Sequence, residues 1–407
     1  MPNVTVEKVG EIDLRDFGEI GIRCGDVNGD GKTELIIPQM SDAPVRKASA
    51  GGYPHEKTVH CITVLDLEGN VLWQKGTPIG EAARKHHGPG AFVVHDFDAD
   101  GRDEIIYATQ RDNLVFVRRL RGTDGECLAE RETGATYVAM PANLRGLGSR
   151  RDVVIGTGLS LVFAYDENIE PIWEWAYFYG GGHEHAAADV EGKGVDDLFI
   201  GVSRLDAQGN RIWWRPDLDD AMEGMRRCPH IDHVVVEELR PGSGEYQVLW
   251  FGGKDIVCLD AISGKLLWRF RGTHLQEGTI GRFDPSRDDK QICLFDKEEP
   301  GNPSYMLTSD GELLWKKPFG RTSLLAGAGP DGRDLLLAKK AFCGEPPFVG
   351  DHNGNCLATF PLPAAAPGPG DRGFGWCARS LPADDKGTRQ VLVYNRSRLF
   401  RFALIAK

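Results

Sequence analysis

Two stretches of the chain set oxygen-bearing side chains on alternate residues and close with a glutamate: Asp26-x-Asn28-x-Asp30-Gly31-x-x-Glu34 and Asp96-x-Asp98-x-Asp100-Gly101-x-x-Glu104. Calcium takes six to eight hard oxygen ligands, and alternating carboxylates on a tight turn, with a backbone carbonyl added, supply such a set. The one-three-five start and the glycine are those of an EF-hand loop, yet Leu35-Ile36-Ile37 and Ile105-Ile106 follow at once, so strands rather than helices flank it. A third copy, Asp189 to Asp197, has Lys193 where the fifth-position carboxylate belongs and is a weaker metal turn. Calcium is expected in the first turn, the second or both. Its ligands there are Asp26, Asn28, Asp30 and Glu34, and Asp96, Asp98, Asp100 and Glu104. Its role is structural, joining one strand to the next. The competing account is an ordinary Asp/Gly turn whose side chains bond their own backbone.

Histidine is the other chemical signal. Seven of the eleven histidines fall in four short segments: His86-His87, His183-Glu184-His185, His230-Ile231-Asp232-His233 and His274. Imidazole titrates near neutral pH, so a group of them can give and take protons. His95 and His352 stand apart from these segments.

Such residues need a scaffold that gathers them, and the sequence repeats one. Cys24–Ile37, His95–Ile106 and Ala188–Ile200 share the acidic turn between apolar strands, and a hairpin ending in tryptophan returns at Trp73, Trp173, Trp213, Trp268 and Trp315. Each unit reads as four short strands at a spacing of about 40 to 50 residues, the period of propeller blades. Glycine and proline, 51 and 23 residues spread along the chain, fit many short strands and turns. The expected fold is all-β: one β-propeller domain spanning 1–407, with eight blades and seven as the alternative count. Starts fall near Glu19, Pro89, Thr136, His183, His230, His274, Thr322 and Arg372. The last unit, 372–407, has three strands, and residues 1–14 are expected to supply its outer strand and close the ring, leaving no open edge.

Placing the blades in register on the acidic turn puts the histidine segments at one rim. Loops between second and third strands bring Arg46, Lys47, Tyr53, His55, Arg111, Arg204, Lys254, Lys297 and Lys339 to the same face. Cations around histidines, in a chain of net charge −12, describe a pocket for an anionic ligand. By alternation along a strand, His185 and His233 are expected to turn into the blade packing. The acidic balance argues against nucleic acid and anionic membranes as partners. Nine cysteines form no CxxC pair and suit a reducing compartment. The N-terminus lacks a basic segment followed by an apolar stretch, so the expectation is cytoplasmic, or secreted if a leader has been removed.

Gly182-His183-Glu184-His185 with its following acidic turn, and His230-Ile231-Asp232-His233-Val234-Val235-Val236-Glu237-Glu238-Leu239, resemble the catalytic propeller of rhamnogalacturonan lyases, polysaccharide lyase family eleven. Asp260–Trp268 fits the hairpin that follows, and elsewhere the likeness is one of calcium-turn repeats of the integrin-like kind. The N-terminal β-domain of those lyases has no counterpart in this sequence, and Glu277–Gly281 matches only loosely. The resemblance implies β-elimination on a uronate-containing, rhamnose-linked glycan, with smaller ulvan and rhamnose–glucuronate lyases as rivals. It implies His183 and His230 as base and acid in either order, with His87 third. Asp232 orients a histidine or holds calcium. For such a reaction the rim cations Arg204 and Lys254 are expected to bind the uronate carboxylate, with calcium as a second option, and Arg111, Tyr53 and His274 to make further substrate contacts. A non-catalytic propeller binding a glycan or protein, or a glycoside hydrolase, are the alternatives.

Overall fold

The computed structural model describes residues 4–19, 21–42, 57–80, 91–111, 114–135, 137–156, 161–176, 182–221, 223–225, 228–329, 331–339, 346–363, 376–383 and 387–406. In these residues the second strand of each repeat is a short apolar run buried on both faces, as in Asp152–Gly156 and Gln291–Asp296. The fourth strands, Val71–Lys75, Arg211–Trp214 and Leu313–Lys317, alternate between exposed and half-buried residues. That contrast identifies sheets stacked face against face, with the fourth strand outermost. The hydrophobic core lies between sheets: Ile36 and Val64 of blade one meet Phe92 and Ile105 of blade two, and Val153 and Ile155 of blade three meet Ile106 and Val117 of blade two.

Contacts divide the described chain into two compact units. One comprises 21–236 with 260–265, the other 1–20, 237–259 and 266–407. The first holds four antiparallel four-stranded sheets, within 23–75, 92–132, 138–176 and 186–214, each in simple chain order. Blade four's inner strand is Ala186–Ala188, while Gly182–Glu184 leaves it to pair in parallel with the strand Cys228–Glu237. The second unit holds the sheet within 321–359 and the sheet of Cys377–Leu381, Arg389–Tyr394 and Arg398–Ala406. Val4–Asp13 pairs with Arg398–Ala406 as the outermost strand of that last sheet, as the sequence led us to expect. Between 247 and 317 the strands form one path. Leu266–Gly281 pairs with Gly253–Asp260 through its first half and with Gln291–Asp296 through its second.

Two devices join adjacent sheets within each unit. The first is a tryptophan on the outermost strand. The indole N–H of Trp73, Trp173, Trp213 and Trp268 donates to the carbonyls of Gly122, Ala207, Ala261 and Ser309, at 2.7–3.1 Å, in the last hairpin of the next repeat. Trp315 does the same to His352. The ring then lies on that hairpin's glycine. A methyl group at Gly311 (φ +80°) would sit 2.7 Å from the Trp268 ring, and at Gly264 (φ +68°) 2.9 Å from the Trp213 ring. Blade two has Ala129 at that position, and Arg119, opposite it on the third strand, donates to the equivalent carbonyl, that of Glu167, at 3.0 Å.

The second device is a reciprocal clasp at the acidic turns. The Asp26 N–H donates to the Asp103 carboxylate and the Asp103 N–H to the Asp26 carbonyl, each at 2.8 Å. Asn143 with Asp196, and Arg282 with Asp334, repeat it.

The tryptophan latch predicts unequal glycine substitutions. Gly332 has a similar left-handed φ of +76° but open space around it. Gly332→Ala should therefore cost about 1 kcal/mol, from backbone strain alone. Gly311→Ala should cost about 2–4 kcal/mol, because the methyl also displaces Trp268. Urea unfolding of the two variants measures the difference, and equal costs would show that the ring contact contributes nothing.

Candidate active site

The parallel pairing of Gly182–Glu184 with Cys228–Glu237 sets Gly182 opposite Ile231 and Glu184 opposite His233. Strand alternation then directs His183 and Asp232 to one face of the pair and Glu184 and His233 to the other. The approach is close enough to require glycine, since a Cβ at position 182 would lie 1.8 Å from the Ile231 carbonyl oxygen. On the first face the His183 Nε2 lies 3.0 Å from a buried carboxylate oxygen of Asp232, and its Nδ1 is hydrogen-bonded to the Tyr137 hydroxyl. On the second, the His233 Nε2 lies 3.4 Å from a Glu184 carboxylate oxygen.

The first couple has a definite polarity. A carboxylate only accepts, so Nε2 carries the proton and donates it to Asp232. In the neutral ring Nδ1 is then an acceptor, and Tyr137 donates its O–H to it. Carboxylate, imidazole and phenol thus form a chain in which His183 can take the tyrosine's proton while Asp232 stabilises the resulting imidazolium. His183 at the centre of this chain and Tyr137 at its end are both half-buried. The ring nitrogens of neighbouring His185 are buried, and among the described residues they have no hydrogen-bond partner. Burial first, and then His183, hold its pKa down to about 4, so it stays neutral beside the chain.

The other residues singled out from the sequence separate. The backbone of His230 lies in the strand paired to Glu223–Met225, but its side chain falls outside the described residues, as do His87 and Tyr53 altogether. Lys254 and Arg111 are exposed, and Arg111 is bonded to Glu130 at 2.7 Å with its guanidinium over the Phe116 ring. Arg204 and His274 correct the expectation. Blade four turns from second to third strand in two residues, so Arg204 lies within the third strand Ser203–Leu205 and not in a rim loop. It is fully buried against Asp197 and Glu191 of the acidic turn, which leaves it no means of binding a substrate. His274 is 4% exposed and built into the second unit, its N–H donating to Asp296 and its carbonyl accepting from Lys297. His233, expected in the packing, is half-buried and faces exposed Glu184. Tyr137 was missed. Its signal was its place immediately before the inner strand Val138–Ala142 of blade three, the same register that singled out the histidines.

The acidic turns form as expected. Asp26 accepts N–H bonds from Gly29, Asp30 and Gly31, and Glu34, 3% exposed, accepts one from Val27 at 3.0 Å and one from the Asn28 amide at 3.2 Å. In blade two, carboxylate oxygens of Asp96, Asp98 and Glu104 gather within 4.8 Å, a spacing one cation can bridge. The donor chemistry of both turns, all oxygen, fits calcium. In blade two, however, the buried guanidinium of Arg119 already lies against Asp98 and, at 3.2 Å, against Glu104.

Four-stranded antiparallel sheets stacked face to face and repeating along the chain define a β-propeller. No protein-family model matches the chain. Among characterised proteins it is similar to the rhamnogalacturonan exolyase YesX of Bacillus subtilis, 24% identical over 72% of this chain and 55% of that protein. It is also similar to the rhamnogalacturonan endolyase YesW of the same organism, 22% identical over 71% and 56%. The chain spans just over half the length of these relatives. The crystal structure of YesX superposes with a TM-score of 0.65, at 21% identity, over 95% of this chain and 72% of that one. BamB from Moraxella catarrhalis superposes with a TM-score of 0.59, at 11% identity, over 98% and 99%. The structural likeness establishes the fold, and the resemblance to rhamnogalacturonan lyases seen in blades four to six extends over most of the chain.

The buried turn glutamates yield a pH prediction. Burial, outweighing Arg119 in the case of Glu104, raises both Glu34 and Glu104 from the ordinary 4.5 to about 7. Between those values the folded protein keeps protons that the unfolded chain releases, so these groups make stability fall as pH rises through the window. In chelator, Glu34→Gln should flatten that fall, read as unfolding midpoints between pH 5 and about 7.5. A slope unchanged by the substitution would mean that Glu34 titrates alike in both states.

Proposed function

We propose that this chain is the catalytic part of a polysaccharide lyase that cleaves an acidic, rhamnogalacturonan-type glycan by β-elimination. The observation that carries the proposal is the Asp232–His183–Tyr137 chain, whose His183 and Asp232 lie in the segments that resemble rhamnogalacturonan lyases. Sequence similarity to a rhamnogalacturonan exolyase and an endolyase supports the substrate class. Fold alone does not, since BamB shares it.

Elimination beside a uronate carboxylate needs a base for the weakly acidic C5 proton and an acid for the departing oxygen. Tyr137 bonded to His183 is suited to either task. As phenolate, its proton passed to His183, it removes the C5 proton; as phenol, it protonates the leaving oxygen. Asp232 fixes the imidazole tautomer and offsets the charge that His183 acquires. His230 and His87 remain candidates for the second proton-transfer group. Calcium held by the turn Asp26–Glu34 would brace the scaffold and take no part in proton transfer.

Tyr137→Phe and His183→Ala should each lower formation of unsaturated uronate product by about a hundred- to ten-thousand-fold, the usual loss of a general acid or base. Circular dichroism should be unchanged by Tyr137→Phe, which removes one oxygen. If both variants retain full turnover on a glycan that the parent cleaves, the site is wrongly placed. If no uronate glycan is cleaved but one binds, a non-catalytic glycan-binding propeller is the correct reading. Chelation should lower the melting temperature, and Asp30→Ala should reduce that response. A melting curve insensitive to chelator would remove calcium from the scaffold.

A further inference from the structure

The acidic turns invite one explanation, a metal, but their surroundings differ between repeats in a way that follows charge. In the third strand, the residue opposite the position two beyond the turn's last acidic residue is Val64 in blade one, opposite Ile36. The equivalent residue is Arg119 in blade two, opposite Ile106, and Arg204 in blade four, opposite Phe199. The same three turns differ at their third position, which is neutral Asn28 in blade one but carboxylates Asp98 and Glu191 in blades two and four. An arginine is present in the two turns that carry the additional carboxylate. In blade one the Asn28 amide reaches Glu34 instead.

The two arginines make the same set of contacts. Arg119 pairs through Nη2 with Asp98 and Glu104, and its Nη1 donates to the carbonyl of Glu167 in the last hairpin of blade three at 3.0 Å. Arg204 pairs through Nη2 with Glu191 and Asp197, and its Nη1 donates to the carbonyl of Ile262 in the next hairpin of that unit at 2.9 Å. Arg119 is 5% exposed and Arg204 fully buried. Blade three reaches the same result from the turn itself, where Arg145 stands at the third position and bonds Asp152 at 2.6 Å. A guanidinium presents several donors in a fixed fork and keeps its charge when buried. Two carboxylates and a carbonyl converging on one buried cation is also the arrangement that a divalent metal would accept.

We propose that Arg119 and Arg204 are built-in counter-cations that take the place of a metal in the acidic turns of blades two and four, which hold their shape without one. Removing the guanidinium from blade two leaves Asp96, Asp98, Glu104 and the Glu167 carbonyl, an all-oxygen set for calcium. Uncompensated, buried Glu104 and half-buried Asp96 and Asp98 repel one another, so the turn becomes dependent on the ion.

The test exchanges the blade-two pair for the pair that blade one already uses. Bound calcium is counted by equilibrium dialysis and melting is followed in chelator and in calcium chloride. Arg119→Val should melt lower than the parent in chelator, recover with calcium, and bind one more equivalent of calcium than the parent. Arg119→Val with Asp98→Asn, recreating Val64 and Asn28, should melt near the parent in chelator and lose the added calcium response. In the parent background, Asp98→Asn should leave the bound calcium count unchanged. Loss of one equivalent in that variant would overturn the proposal, because the turn would then hold a metal beside Arg119. An Arg119→Val protein that binds no additional calcium would overturn it equally. Should Arg119→Val fail to fold, the calcium count of the Asp98→Asn protein decides the question.

Discussion

The contact on which most of this architecture depends is the tryptophan laid across the hairpin of the next repeat. Four-stranded sheets of this size bury little of their own apolar surface and are stable only when stacked. Stacking through aliphatic residues alone would leave them free to slide. The indole resists sliding twice over. Its N–H must find one carbonyl, and its ring must find the one residue without a Cβ. Where the tryptophan is missing, in blade two, the Arg119 guanidinium reaches the corresponding carbonyl, that of Glu167. Directional polar contacts therefore fix the offset between sheets, while the apolar core supplies the cohesion.

Much of this could be read from the sequence, because repeats advertise themselves. The returning tryptophans, the acidic turns and the apolar second strands all gave the right elements, and the N-terminal strand took its place in the last sheet. His183 and Asp232 could also be chosen, since a dense histidine segment stands out against a repeating background. What escaped was anything that depended on which way a side chain turns. Arg204 was assigned to a loop because the length of blade four's second turn could not be judged, and a shift of one residue along a strand exchanges substrate-facing for buried. His274 failed for the same reason. Tyr137 failed for another: its place before the inner strand marked the rim register, but a lone tyrosine among histidine segments does not stand out until its hydrogen-bond partner is known.

The candidate site depends on a departure from the repeat. In blade four Gly182–Glu184 leaves its own sheet and runs parallel to Cys228–Glu237, and a glycine makes that approach sterically allowed. Had the segment continued the regular sheet, His183 and Asp232 would lie on different blades with no fixed relation. Parallel pairing over three residues contributes little stability, so the arrangement is retained for what it aligns.

The strand Leu266–Gly281 has a different significance. Its two halves belong to two successive repeats with no loop between them. Elsewhere a turn separates one sheet from the next and can absorb a local opening. Here one strand passes through both ladders; they shift register where they meet at 272–276, but the Asp296 carboxylate takes up the Thr273 and His274 N–H groups, so fraying at one end meets bonded backbone and not a loop. Residues 247–259 and 266–317 should accordingly exchange their amide hydrogens as a single foldon, the slowest-exchanging stretch of their unit, and should nucleate or melt together even though the sequence counts them as two repeats.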